Sequence, residues 1–79
     1  MQLTVYSRPE CGLCDEMIDA LAGLLAGRDW PIEIVDVDSD PALAERYGLR
    51  IPVLCVDGDF VCAYRLDVDR VRRRLELED

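Results

Sequence analysis

Apolar and polar residues alternate over QLTVY (2–6), a stretch rich in β-formers, and this predicts a half-buried strand. Ser7 to Glu10, with Pro9, breaks the pattern. From Cys14 onward the period changes. Met17, Ile18, Leu21, Leu24 and Leu25 recur at spacings of three and four, one stripe of a helix, with Gly27 as its expected stop. IEIVDV (32–37), entered through Trp30-Pro31, predicts a second strand. Asp40-Pro41 offers a helix N-cap followed by proline at the first helical position, where its missing N–H costs nothing, and this short helix should close near Tyr47-Gly48. PVLCV (52–56) and FVCAY (60–64) flank Asp57-Gly58, a pair that tolerates positive φ and so predicts a hairpin. A last helix should begin after Asp67, stapled by Leu66 against Val71, with Val68, Val71 and Leu75 facing inward. Arg72, Arg73 and Arg74 fall in its final turns, where positive charge suits the helix dipole and the side chains should be solvated.

The order strand, helix, strand, helix, hairpin, helix has a topological consequence. Two strands joined by a helix should run parallel with a right-handed crossover. The hairpin then adds two antiparallel strands. The expectation is an α/β fold (βαβαββα), a mixed four-stranded sheet with helices on both faces. No repeat, low-complexity tract or linker interrupts the 79 residues, so 1–79 reads as one domain.

Composition narrows the functional classes. Half the residues are hydrophobic, enough for a core and against global disorder. Net charge is −8 and all nine basic residues are arginines, so nucleic acid and anionic membranes should be repelled rather than bound. No apolar run approaches the roughly 20 residues of a membrane helix. The first ten residues lack the basic and apolar regions of a signal peptide, so the expected location is the cytoplasm. There, paired cysteines are more often catalytic or metal-binding than structural.

That directs attention to SRPECGLCDEM (7–17), where Cys11 and Cys14 stand two residues apart at the start of the first helix. Three residues of helix bring the two Cα atoms to about 5–6 Å, a span that a disulfide closes without strain. Free N–H groups at the helix start point toward the Cys11 sulfur and favour its thiolate. Cys14, one turn inside, should be less exposed. Cys11 is therefore the expected nucleophile and Cys14 the resolving thiol. Glu10, Asp15 and Glu16 surround the pair and oppose a thiolate, with Arg8 the close cation, so a reductant is expected rather than a strong oxidant.

A zinc site would need two more ligands. With no histidine in the chain, they would have to be Cys55 and Cys62. In the register set by Asp57-Gly58, Val56 faces Asp59, Cys55 faces Phe60 and Val53 faces Cys62. This makes Cys55 and Cys62 diagonal neighbours on one face, buried mid-strand where zinc ligands rarely sit. They are expected to be core cysteines, and no metal site is assigned.

A first strand, then C-x-x-C at a helix start, then YGLRIPVL (47–54) and a hairpin resembles the thioredoxin superfamily, and the short chain resembles a small glutaredoxin. The resemblance spans essentially the whole chain. It implies a cis peptide bond between Ile51 and Pro52 beside the dithiol, with the Ile51 backbone free to pair with a substrate chain by strand addition. Sequence physics alone leaves a trans proline starting an edge strand open. Substrate contacts are expected at Arg8, at Gly12-Leu13 between the cysteines, at Ile51-Pro52, and at Arg65 and Asp67. Two departures matter. Gly12-Leu13 replaces the usual Pro-Tyr, and Tyr64-Arg65 replaces a Gly-Gly turn that lets glutathione lie against the backbone. No resident cofactor is implied. Glutathione is the reductant that the resemblance offers, and the tyrosine and the acidic rim weigh against it. The expectation is a monomeric thiol–disulfide oxidoreductase acting on a protein or peptide disulfide or on glutathione. A binding module of the same fold, presenting the Ile51-Pro52 groove without turnover, remains the rival.

Overall fold

The β-forming run at the N-terminus becomes the central strand. The computed structural model describes residues 1–77, and in it β1 (Leu3–Ser7) lies between β2 (Ile32–Asp36) and β3 (Val53–Val56), with β4 (Asp59–Ala63) outermost. β1 pairs β2 in parallel and β3 antiparallel, and the order β2-β1-β3-β4 is the expected mixed sheet. α1 (Gly12–Leu24) makes the crossover, α2 (Pro41–Tyr47) follows a 3-10 turn over Val37–Ser39, and α3 (Val68–Leu75) closes the chain.

The inner strands β1 and β3 are covered on both faces, and side-chain alternation divides the core in two. Leu3, Val5, Leu54 and Val56 point to one side and pack with Met17, Leu21 and Leu25 of the α1 segment and with Val71 and Leu75 of α3. Val53 and Cys55 point to the other, where they meet Val37 and Tyr47. Tyr47 docks α2 by stacking on Tyr6 of β1, ring centroids 4.3 Å apart. Leu3, Leu21 and Leu54 are fully buried, each contributing about 1.5–3 kcal/mol over exposure.

Local chemistry sets the element ends. Asp40 caps α2 by accepting the Ala42 N–H at 2.9 Å, with Pro41 at the first position. Asp67 caps α3 by accepting the Arg70 N–H at 3.0 Å. Asp36 ends β2 one residue before the predicted limit, because its carboxylate accepts the Asp38 N–H at 2.8 Å and turns the chain. α1 ends at Leu24, and Gly27 turns the chain beyond it at φ 84°. The hairpin turn has φ 51° at Asp57 and 86° at Gly58, as its sequence requires.

Three expectations are corrected. The hairpin register holds at Val56–Asp59 and Cys55–Phe60, but a bulge then intervenes and Cys62 pairs with Leu54, while Val53 meets Ala63. One extra residue reverses the facing of everything beyond it. Cys62 therefore joins the α1/α3 core and Cys55 the α2 core, so the two thiols lie on opposite faces rather than as diagonal neighbours. Val68, at the first position of α3, is exposed instead of inward-facing. Arg74 is not simply solvated: it donates to the Val56 carbonyl at 3.2 Å and lies 3.5 Å from the Asp59 carboxylate, tying α3 to the hairpin.

Candidate active site

β1 ends at Ser7, and residues 8–10 form the loop that delivers the cysteines. Glu10 adopts φ 59°, an uncommon conformation that turns the chain into α1. Cys11 is the N-cap, extended at φ −109° and ψ 107°, and its sulfur accepts the Cys14 N–H at 3.3 Å. Its carbonyl already accepts the Asp15 N–H, so the dithiol is built into the first helical turn.

The two sulfurs have different surroundings. Cys11 is half-buried, whereas Cys14 is 1 % exposed. Burial first, and then the hydrogen bond with Cys11, push the Cys14 thiol up to about 11, while the Arg8 backbone N–H works in the opposite direction. Cys14 is thus held as a protonated, sheltered thiol. All four cysteines are free, and burial pushes Cys55 and Cys62 up as well, making them poor nucleophiles. Among the described residues, no group of three or more His, Cys, Asp or Glu is placed to hold a metal ion.

Sheet register brings the other segments to this end of the molecule. Tyr6 pairs with Val53, so Pro52 falls level with Ser7, where the dithiol loop departs. The Ile51–Pro52 peptide bond is cis. Among the described residues, no hydrogen bond engages the Ile51 N–H or C=O. Beyond β4, Tyr64 donates its N–H to the Pro52 carbonyl at 2.9 Å and its hydroxyl to the Leu49 carbonyl at 3.3 Å. Tyr64 does this at φ 69°, a region glycine enters freely and tyrosine rarely.

The residues singled out in the sequence fall into three groups. Cys11, Gly12, Leu13 and Cys14 form the head of α1, and Leu13 shares an open groove of about 290 Å³ with Arg65. Nothing lies within 4 Å of a Cβ added at Gly12, so sterics do not demand glycine there. Ile51 and Pro52 sit level with the loop. Arg8 and Asp67 are otherwise engaged: Arg8 grips Asp38 through Nε at 2.8 Å and a second nitrogen at 3.1 Å, and Asp67 caps α3. Arg8 thereby fastens the dithiol loop to the turn after β2. The sequence reading missed Asp38, hidden in the acidic run DVDSD, and the groove residue Ala20; it placed Glu16 beside the dithiol and Val68 in the core without joining them in a groove. Only the i, i+3, i+7 spacing of Leu13, Glu16 and Ala20 hinted at a shared helix face.

Residues 2–76 match the model of the Glutaredoxin-like domain (DUF836). The chain belongs to that family. A solved structure of a structural-genomics target protein, XcR50 from X. campestris, is 38 % identical, with a TM-score of 0.76 and coverage of 98 % of this chain and 99 % of that one. Protein Ne2328 from Nitrosomonas europaea is 36 % identical, with a TM-score of 0.82 over 92 % of this chain and 88 % of its own. The glutaredoxin-like protein NrdH-redoxin from Escherichia coli is 23 % identical, with a TM-score of 0.65 and coverage of 100 % and 97 %, a likeness that speaks for the fold. The glutaredoxin-like chain therefore has the thioredoxin-like architecture that its motifs resemble. No described helix is long and apolar enough to cross a membrane.

Proposed function

We propose that this glutaredoxin-like protein is a thiol–disulfide oxidoreductase that reduces protein or peptide disulfides in the cytoplasm. The observation that carries the reading is the asymmetry of the pair: a half-buried Cys11 whose sulfur accepts the Cys14 N–H at 3.3 Å, and a Cys14 thiol fully buried and pushed up to about 11. The Cys11 thiolate attacks one sulfur of the substrate, forming a mixed disulfide and releasing the first substrate thiol. Cys14 then gives up its proton and attacks the Cys11 sulfur, closing Cys11–Cys14 and releasing the second thiol. Two electrons pass from the dithiol to the substrate, and an external thiol reductant restores the pair.

The raised Cys14 value suits this order. Two of its causes, the hydrogen bond with Cys11 and the charge on Cys11, vanish once Cys11 is in a mixed disulfide. The resolving thiol is thus easier to ionise at the step that needs it. The unengaged Ile51 backbone is available to an extended substrate chain. Glutathione fits less well, because Tyr64-Arg65 follows β4 where the resembled glutaredoxins have a Gly-Gly turn, and the domain is acidic.

Turnover with insulin or a small disulfide tests the proposal. Cys11→Ser should be inactive, and Cys14→Ser should stall as a covalent adduct on Cys11, visible by mass spectrometry. An active Cys11→Ser protein, or an adduct on Cys14, would reverse the assigned roles.

A further inference from the structure

Beside the dithiol lies a groove whose lining includes Leu13 and Arg65, two of the expected substrate contacts, and whose occupant the reaction as written does not specify. Leu13, Glu16 and Ala20 of α1 form one wall, and Tyr64, Arg65 and Val68 contribute to the other. Its volume, about 290 Å³, is at the lower limit for small-molecule sites, which suits one or two side chains of a polypeptide. Three of its apolar residues are open to solvent: Leu13 at 39 %, Tyr64 at 50 % and Val68 at 42 %. Leu13 stands between the two cysteines, so an occupant of the groove is held next to the reacting sulfurs. Tyr64 reaches the groove from a left-handed backbone at φ 69°, fixed by hydrogen bonds to the Pro52 and Leu49 carbonyls. Strain of this kind in a non-glycine residue concentrates at working sites.

Charge decides what fills it. Glu16 lies in the wall, Asp19 follows three residues on along α1, and Asp67 and Asp69 stand at the start of α3, against Arg65 and Arg70. The whole chain carries −8. A second copy would bring −8 to −8, and an anionic tripeptide would meet the same field.

From these observations we infer that the groove recognises a polypeptide carrying a bulky apolar side chain within a few residues of its disulfide cysteine, flanked by lysine or arginine. The apolar side chain covers Leu13, Tyr64 and Val68, and the basic residue meets the acidic edge of α1. This specificity rests on the proposed disulfide exchange for its purpose, but its test does not require turnover.

Three labelled decapeptides with serine in place of cysteine serve as probes: one with leucine and arginine beside that serine, one with leucine replaced by serine, and one with arginine replaced by glutamate. Affinity is read by fluorescence anisotropy and location by amide NMR shifts. The leucine–arginine peptide should bind about tenfold more tightly than either other peptide. Its lead over the glutamate peptide should shrink in 0.5 M salt, and its lead over the leucine-free peptide should persist. Shifts should cluster at 13–20 and 64–68. Val68→Ser and Glu16→Gln should each weaken the first peptide, whereas Phe60→Ser, an exposed apolar site on the hairpin, should not. Equal binding of all three peptides, undetectable binding, or shifts centred elsewhere would overturn the assignment. Turnover of the corresponding peptide disulfides separates the two proposals. Selective binding without Cys11-dependent turnover refutes the reaction and keeps the groove; Cys11-dependent turnover without selectivity refutes the groove and keeps the reaction.

Discussion

The protonated state of Cys14 has a measurable consequence for stability. In the folded protein its thiol is pushed up to about 11 from an ordinary 9.0, chiefly by burial. The folded state therefore holds this proton more tightly than the unfolded chain. The resulting stabilisation is fully present below pH 9 and is lost as pH rises toward 11. Two pKa units correspond to a limit of about 3 kcal/mol, of which about 2 kcal/mol should be gone by pH 10.5. Cys14→Ala removes the titrating group. The variant pays a packing cost at every pH, so its absolute stability is uninformative, and the difference from wild type is the quantity to follow. Cys55, Cys62 and Tyr47 are shifted in the same direction, but their contribution is common to both proteins and cancels. Urea denaturation of both proteins under reducing conditions at half-unit steps from pH 8 to 10.5 reads the difference directly. The wild-type advantage should fall by about 2 kcal/mol across that range. A constant difference would refute the burial of a protonated Cys14. Labelling gives an independent check at pH 8, where a thiol titrating near 11 is about one part in a thousand ionised, roughly a hundredfold below one at 9.0. Limiting iodoacetamide should therefore spare Cys14, and Cys11, the less buried of the two, should take the label first. In Cys11→Ser, with the Cys11 charge and thiol hydrogen bond gone, Cys14 should label faster than in the wild type.

Other parts of the structure make simpler claims. Mild oxidation should close Cys11–Cys14 and leave Cys55 and Cys62 reduced, since these lie on opposite faces of the sheet; a mapped Cys55–Cys62 bridge would contradict the bulged register. Tyr64→Gly should change stability by no more than about 1 kcal/mol, because relief of the left-handed backbone offsets the greater freedom of the unfolded chain. The same variant should raise glutathione-coupled turnover, and an unchanged rate would show that the side chain does not obstruct that route. Asp40→Ala should lose the α2 cap, costing about 1 kcal/mol, or about 4–8 °C in Tm for a domain of this size.

Much of this protein was legible along the chain because its signals are local. The alternation in QLTVY, the Asp40-Pro41 cap, the Asp57-Gly58 turn and the Asp67 cap depend on neighbours within four residues, and the elements formed where those neighbours put them. The position of Cys11 and Cys14 at the head of α1 follows from the same short-range rules. What lay beyond them was decided across the sheet. No local pattern announces a bulge opposite Leu54–Cys55, yet that single insertion sends Cys62 to the other face. Val68 fits a helical stripe by spacing, but whether a neighbour covers it depends on how α3 sits against α1, and there the packing leaves a groove. Arg8 reads as a cation beside the thiols until the folded chain sets Asp38, thirty residues away, within 2.8 Å of its guanidinium. Local sequence determines which elements form and which thiol stands at the head of α1. Only the tertiary structure decides which charges pair and which apolar residues stay uncovered, because those outcomes depend on groups that meet only once the sheet has assembled.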